Sequence, residues 1–394
     1  MKPKVALTNE FLNFLGGEGQ VLFSMHRAYP QAPIYTLLSN PKFTDQYLPK
    51  AKIINSSLNR LPNFITKSHQ IFLELFPIIV EQFDFSDYDV VISSCHSFIK
   101  GIITKPNTIH ISYIHSPTRY IWDQSAEWIA QKKLNLFSPI INWRFNKLRH
   151  WDYLAADRVD IIIANSKTVA ERIKKYYRRE PYQVIYPPVP VNDFIPNGSV
   201  ANKQDYFFTI SRLVEYKRFD LAIKAFNELG LPLYVAGTGP EEKYLKSIAK
   251  DNIKFLGFIS DEEKIKYLQG ARAFIFPGEE DFGIVQVEAM AAGTPVIAYR
   301  KGGSTESIIA NQTGLFFDQQ KPEDLVRAVQ KFVQMTPIKT EDCINRARQF
   351  DESVFQSQLR SVVEYAHQNK KDVLLKSTRE HALTKINQNS IHPD

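Results

Sequence analysis

The chain is short of several things, and each shortage excludes a class. Only two cysteines occur among 394 residues, Cys95 and Cys343, so no disulfide framework is expected and a reducing compartment suits the composition. No segment approaches 18 uninterrupted apolar residues, and the first residues, Met-Lys-Pro-Lys-Val-Ala, carry neither a long apolar core nor a small-residue cleavage site. A spanning helix and a secretory leader are both unexpected. The glycines at Gly237 and Gly239 start a dinucleotide fingerprint, yet Glu242 stands where its third glycine belongs. That argues against a nicotinamide-dependent oxidoreductase. Asp87 and Asp89 imitate a D-x-D metal pair, but they lead straight into an apolar strand and read better as a loop-to-strand join.

What is present fits an ordinary soluble globular protein, with 44% hydrophobic and 23% charged residues. The length exceeds what one hydrophobic core organises, and two domains follow as the expectation. A net charge of +7 points to an anionic partner, whether nucleic acid, an anionic membrane face or a phosphorylated substrate.

Apolar runs at 5–8, 34–37, 90–93, 109–114, 161–164 and 184–186 alternate with helical stretches, and the pattern restarts at 206–210, 233–236, 253–255, 274–276 and 296–298. The alternation predicts an α/β chain of two Rossmann-like domains facing a cleft, with ligands at the carboxyl ends of the strands. A proline-rich stretch around residues 187–200 separates the two series. The expected organisation is an N-terminal domain over 1–190, a linker over 191–203 and a C-terminal domain over 204–350. A helix over 351–366 and a polar tail over 367–394 complete it. Ser260 followed by Glu263 reads as a capping box opening a helix.

The densest chemistry lies in residues 276–298, where a short strand ends at Pro277-Gly278 and a helical pattern resumes after Gly283. A helix start presents unpaired amides and a positive dipole end, so the amides of Phe282, Gly283, Ile284 and Val285 suit a diphosphate and its sugar. Glu280 precedes this helix and Glu288 lies inside it; at about 1.5 Å rise per residue their carboxylates sit roughly 10 Å apart. That is wider than the about 5 to 5.5 Å of a retaining hydrolase pair.

Glu280 and Glu288, with Phe-Gly after the first, resemble the paired-glutamate motif of the retaining family-4 glycosyltransferases of GT-B fold. Residues 211–220 (Ser-Arg-Leu-Val-Glu-Tyr-Lys-Arg-Phe-Asp) resemble that family's phosphate-binding segment, and residues 237–242 and 255–261 its nucleotide-side loops. Residues 16–19 (Gly-Gly-Glu-Gly) resemble its first-domain glycine loop. Residues 113–123 (Tyr-Ile-His-Ser-Pro-Thr-Arg-Tyr-Ile-Trp-Asp) resemble the histidine segment of a subgroup dominated by GDP-mannose-dependent mannosyltransferases of bacterial polysaccharide assembly.

The resemblance implies transfer of a hexose, mannose from GDP-mannose first and a UDP-sugar as the alternative, onto a lipid-linked saccharide. It implies retention of configuration without an obligatory protein nucleophile, and no metal or other cofactor. Catalytic roles fall on His115, Glu280, Arg212 and Lys217. Donor contacts fall on Gly16, Gly17, Gly237, Gly239, Phe258, Ile259, Phe282, Gly283, Ile284, Val285 and Glu288, with Glu280 at the sugar and Glu288 at the ribose. Arg and Lys fit because negative charge grows on the departing diphosphate.

Residues 128–151 and 58–76 mix aromatic and apolar side chains with Lys132, Lys133, Arg144, Lys147 and Arg149. Such a segment suits the interface of an anionic membrane, and the expected location is cytoplasmic, peripheral to the inner membrane face. A basic nucleic-acid-binding scaffold is the competing class, but no RNA- or DNA-reading motif accompanies the charge, and no nucleic-acid partner is expected.

Overall fold

The computed structural model describes residues 2–13, 16–60, 73–132, 134–196 and 203–375. It divides into two compact units, one of residues 1–185 with 356–394 and one of residues 186–355.

The first unit is a seven-stranded parallel sheet. In order across the sheet it runs β3 (Ile53–Asn55), β2 (Ile34–Ser39), β1 (Val5–Leu12), β4 (Val90–Cys95), β5 (Ile109–Ile114), β6 (Ile161–Ala164) and β7 (Gln183–Val184). Strands β1, β4, β5 and β6 are buried along nearly their whole length, as a parallel sheet covered on both faces requires. Edge strand β3 was not anticipated, because its Ile-Ile-Asn is short and half exposed.

The second unit repeats the plan with six strands: β10 (Ile253–Gly257), β9 (Leu233–Ala236), β8 (Phe207–Ile210), β11 (Phe274–Phe276), β12 (Val296–Tyr299) and β13 (Gly314–Phe317). Its strand order is the doubly wound 3-2-1-4-5-6 arrangement, and both units reverse direction of winding between their first and fourth strands. At that reversal the connections leave to opposite faces of the sheet and open a crevice at the carboxyl ends. In the first unit the crevice lies between β1 and β4; in the second, between β8 and β11.

The boundaries differ from the sequence reading for physical reasons. Val191–Phe194 is a turn of helix, and Val189, Val191 and Phe194 are buried in the second unit's core, so these prolines punctuate a packed segment. Residues 197–202 of the expected linker lie outside the described residues. The last long helix is Glu352–Gln368, and from Gln356 onward it belongs to the first unit. Helical backbone resumes over 370–375 with Val373 buried, which brings the start of the expected tail into the fold; residues 376–394 lie outside the described set.

Candidate functional site

In the second unit, each strand end at the crevice delivers one part of the site. The chain leaving β8 passes Arg212 and reaches Lys217 on a turn of 3-10 helix; the chain leaving β11 passes Gly278 and reaches Glu280. These two segments meet, and the Lys217 ammonium donates to Glu280 Oε1. Burial alone pushes Lys217 down, but the facing carboxylate outweighs it and leaves the ammonium above its ordinary value. The Arg212 side chain is exposed and makes no ion pair or hydrogen bond among the described residues.

Glycine is required where these segments touch. Gly237 has φ of +112°, and a Cβ there would lie 1.9 Å from the Ser211 carbonyl oxygen. Gly239 has ordinary φ but the same crowding, with the Leu213 carbonyl oxygen 2.2 Å from any Cβ. The β9 loop therefore lies directly against the β8 loop that carries Arg212.

Gly283 caps the helix Ile284–Ala291 in the left-handed region and supplies no side-chain cap, which leaves the first amides of that helix for a ligand. Phe282 is buried beneath them. From Gln286 to Ala291 this helix is buried on every side, and Glu288 is buried with it. Its carboxylate accepts from Lys264 Nζ at 3.2 Å through Oε1, while Oε2 has no hydrogen bond among the described residues. Lys264 stands on the helix Asp261–Gly270 and is also held above its ordinary value, burial being outweighed by Glu288 and Asp261. The capping box forms: Ser260 Oγ accepts from the Glu263 amide at 3.2 Å, and Glu263 Oε2 from the Ser260 amide at 2.8 Å. Just before it Phe258 stands 84% exposed, with Ile259 half-buried beside it.

In the first unit, Gly16 is extended and caps the helix Gly17–Ala28 without a side-chain bond. His115 follows β5, and its Nε2 lies 2.9 Å from Ser94 Oγ on β4. Sequence reasoning missed the group beside it. Glu10, on β1, is fully buried and accepts amide hydrogens from Ser97, Phe98 and Ile99 at 2.9, 2.9 and 3.1 Å. His96 Nδ1 lies 3.0 Å from Glu10 and 2.8 Å from Glu18. Burial disfavours every charge here, yet the mutual attraction wins. Glu10 is brought down to about 2, Glu18 is lowered by His96 and His115, and His96 is raised well above its ordinary range. The available signal was an acidic residue inside the first strand, after Thr8 and Asn9.

The segment carrying His115 is anchored from beneath by Asp152. That carboxylate, 1% exposed, accepts from Thr118 at 3.0 Å, Trp122 at 2.7 Å, Tyr177 at 2.9 Å and Lys100 at 2.5 Å.

Asp89 accepts from the Lys4 amide at 3.0 Å, and no group of three or more metal-ligating side chains occurs among the described residues. The basic stretch is only partly a free surface: Arg144 is ion-paired with Glu74 and Arg149 donates to the Ile121 carbonyl at 2.7 Å, whereas Lys132 and Lys147 are exposed. Phe145 and Leu148 pack inward, and Leu136, Phe137, Ile140 and Trp143 stand outward. Lys133 and residues 61–72 lie outside the described set. No helix among the described residues is long and apolar enough to cross a membrane.

Comparison with known proteins follows this division. Residues 16–193 match the family described as Glycosyltransferase Family 4, and residues 192–350 match Glycosyl transferases group 1. An alpha-1,3/1,6-mannosyltransferase ALG2 from Mus musculus is 29% identical over 310 residues, covering 68% of this chain and 70% of its own. A GDP-mannose-dependent monoacylated alpha-(1-6)-phosphatidylinositol monomannoside mannosyltransferase from Corynebacterium glutamicum is 30% identical over 178 residues, covering 38% of this chain and 47% of its own. A D-inositol 3-phosphate glycosyltransferase from Mycobacteroides abscessus is matched over 44% of either chain at 26% identity, so the chain spans about half the length of several relatives. Among solved structures, Anabaena Alr3699/HepE in complex with UDP superposes with a TM-score of 0.67 at 18% identity, covering 92% of this chain and all of that one. Sucrose-phosphate synthase from Thermosynechococcus elongatus gives 0.67 at 16% identity, covering 91% and 98%. These likenesses carry the GT-B fold.

Proposed function

We propose, on the premise that this chain belongs to the family 4 and group 1 glycosyltransferases, that it transfers mannose from GDP-mannose, with retention, to a lipid-linked saccharide. The observation that carries the reading is the Lys217–Glu280 pair at the crevice between β8 and β11. The ammonium neutralises Glu280 in the free protein. When a nucleotide sugar enters, the same cation meets the diphosphate and the released carboxylate orients sugar hydroxyls. Arg212, exposed on the neighbouring loop, and the open amides of Phe282, Gly283, Ile284 and Val285 complete the phosphate cradle. Glu288 offers Oε2 to the ribose, Phe258 and Ile259 offer apolar surface to the base, and Gly237 and Gly239 let the loop approach closely. On this reading Gly16, Gly17 and His115 keep the donor-binding and catalytic roles that the family resemblance implies, and no resident metal or cofactor takes part.

The donor is tested by thermal stabilisation of the full chain with GDP, UDP, GDP-mannose and UDP-glucose. The expected result is a rise with GDP and GDP-mannose; stabilisation by UDP alone establishes the second reading, which the fold likeness to UDP- and UDP-glucose-bound Anabaena Alr3699/HepE favours.

The acceptor reading places the protein at the cytoplasmic face of the membrane. Leu136, Phe137, Ile140 and Trp143 are exposed together, and Lys147 Nζ sits 3.8 Å from the Trp143 ring centroid, with Lys132 over Trp128. Apolar side chains rimmed by lysine suit an anionic bilayer surface, worth about 1 kcal/mol per nearby cation. Flotation with anionic vesicles should exceed that with neutral ones, and Lys132→Gln with Lys147→Gln should remove the difference.

A further inference from the structure

Beside the end of β4 the first unit has a recess of about 160 Å³ walled by Phe11, Phe76, Phe98, Tyr120 and Trp128, with His96 on its remaining side. The donor chemistry uses none of these rings. Phe76 and Phe98 stack with centroids 5.0 Å apart, Phe11 stands edge-on to Phe76 at 5.9 Å, and Trp128 packs against Phe145 at 5.4 Å, so the rings of the wall are held by one another and by the core.

Size restricts the guest first. An apolar protein cavity of about 150 Å³ admits a benzene-sized molecule, so this recess takes one six-membered ring. Charge restricts it next. Glu10, Glu18 and protonated His96 sum to one negative charge, and a phosphate brought against them meets like charge in a poorly solvated place. A hydrocarbon fails for the opposite reason, since it covers the imidazolium and its carboxylates without replacing the hydration they lose. A pyranose satisfies both walls: its C–H face lies on aromatic rings and its hydroxyl edge bonds to the imidazole of His96.

We propose that this recess is an acceptor subsite for one uncharged pyranosyl residue, gripped by the aromatic wall and oriented by His96, whose ring Glu10 and Glu18 hold. The inference rests on the glycosyltransferase reading. Its placement is consistent with transfer: Glu18 lies in the first turn of the helix that follows Gly16, and its carboxylate interacts with both His96 and His115.

Saturation-transfer NMR on the full chain tests it, with methyl α-glycosides of mannose, glucose and N-acetylglucosamine, mannose 1-phosphate, and geraniol as probes. At least one neutral glycoside should receive saturation at its ring protons, and Trp128→Ala and His96→Gln should each weaken it about tenfold. Mannose 1-phosphate should not compete. With a saccharide acceptor, the same variants should raise KM and leave kcat within about twofold. Wild-type affinity for glycosides in both variants, or displacement of the glycoside by geraniol, overturns the proposal. Binding of GDP or UDP is followed in parallel: its absence from the wild type strikes the glycosyltransferase reading, whereas its presence without glycoside binding strikes this subsite alone.

Discussion

The two units share one strand plan but load the crevice differently. In the second, each site carboxylate has its own lysine, Glu280 with Lys217 and Glu288 with Lys264. In the first, a single imidazole is shared by Glu10 and Glu18. One-to-one pairs release an anion-binding cation whenever the carboxylate finds another partner, which suits a site that must admit a diphosphate. A shared cation leaves a net negative charge and suits hydroxyls. The same fold thus carries one lysine for each carboxylate in one unit and a net negative cluster around His96 in the other.

The largest expected effect separates the units by stability. Asp152→Ala leaves Lys100 buried without its carboxylate and frees Thr118, Trp122 and Tyr177, so the first unit should lose about 3–5 kcal/mol. All four tryptophans, at positions 122, 128, 143 and 151, lie in this unit, and their fluorescence should report a lower denaturant midpoint. An unchanged midpoint would mean that the network does not hold the His115 segment. Next comes Glu280→Gln in the second unit. It should reduce turnover by about 10²-fold or more, the scale of losing one preorganised polar contact at a reacting centre, with nucleoside diphosphate affinity retained. Normal turnover would remove Glu280 from the sugar.

Titration sharpens the contrast. Glu10 is lowered from 4.5 to about 2, so its contribution is complete above pH 4.5 and is lost as pH falls toward 2. His96 is raised, so its contribution is complete below pH 6.5 and is lost as pH climbs through its folded value. In the second unit, burial lowers Lys203 from 10.5 to about 8; the unfolded chain binds the extra proton there, and stability rises with pH between 8 and 10.5. Alkaline pH should therefore weaken the first unit while the second gains from Lys203. His96→Gln should flatten the alkaline limb of the tryptophan-detected midpoint; a limb that persists assigns it to another group.

Much of the second unit's site was legible because its parts are local. The Gly278, Glu280, Gly283 and Glu288 spacing reads as strand, turn and helix on one short stretch, and Glu280 meets a lysine that follows the preceding crevice strand. The first unit's group was not legible, since Glu10, Glu18 and His96 come from three elements and meet only once β1 and β4 pair in register. Strands β3 and β13 escaped notice because an edge position needs no continuous apolar run; β13 is only Gly-Leu-Phe-Phe. The proline-rich segment was read as a linker because prolines mark turns, while the burial of Val189 and Phe194 depends on a distant helical segment around Phe350.

The smallest expected effect asks how far the donor crevice depends on its supports. Ser260→Ala removes the hydroxyl that accepts from the Glu263 amide, and loss of a capping box costs about 1 kcal/mol. The helix Asp261–Gly270 carries Lys264, whose bond to Glu288 is the only ion pair at that buried carboxylate among the described residues. Fraying at the first turn lets Lys264 swing away and leaves Glu288, the proposed ribose contact, without its counter-ion. Nucleoside diphosphate affinity should then fall about two- to fivefold, with turnover at saturating donor unchanged, because no group at the reacting sugar has moved. Isothermal titration with the diphosphate and initial rates at saturating donor check both halves. A fall in turnover with affinity intact would move this helix from the ribose side to the reacting centre.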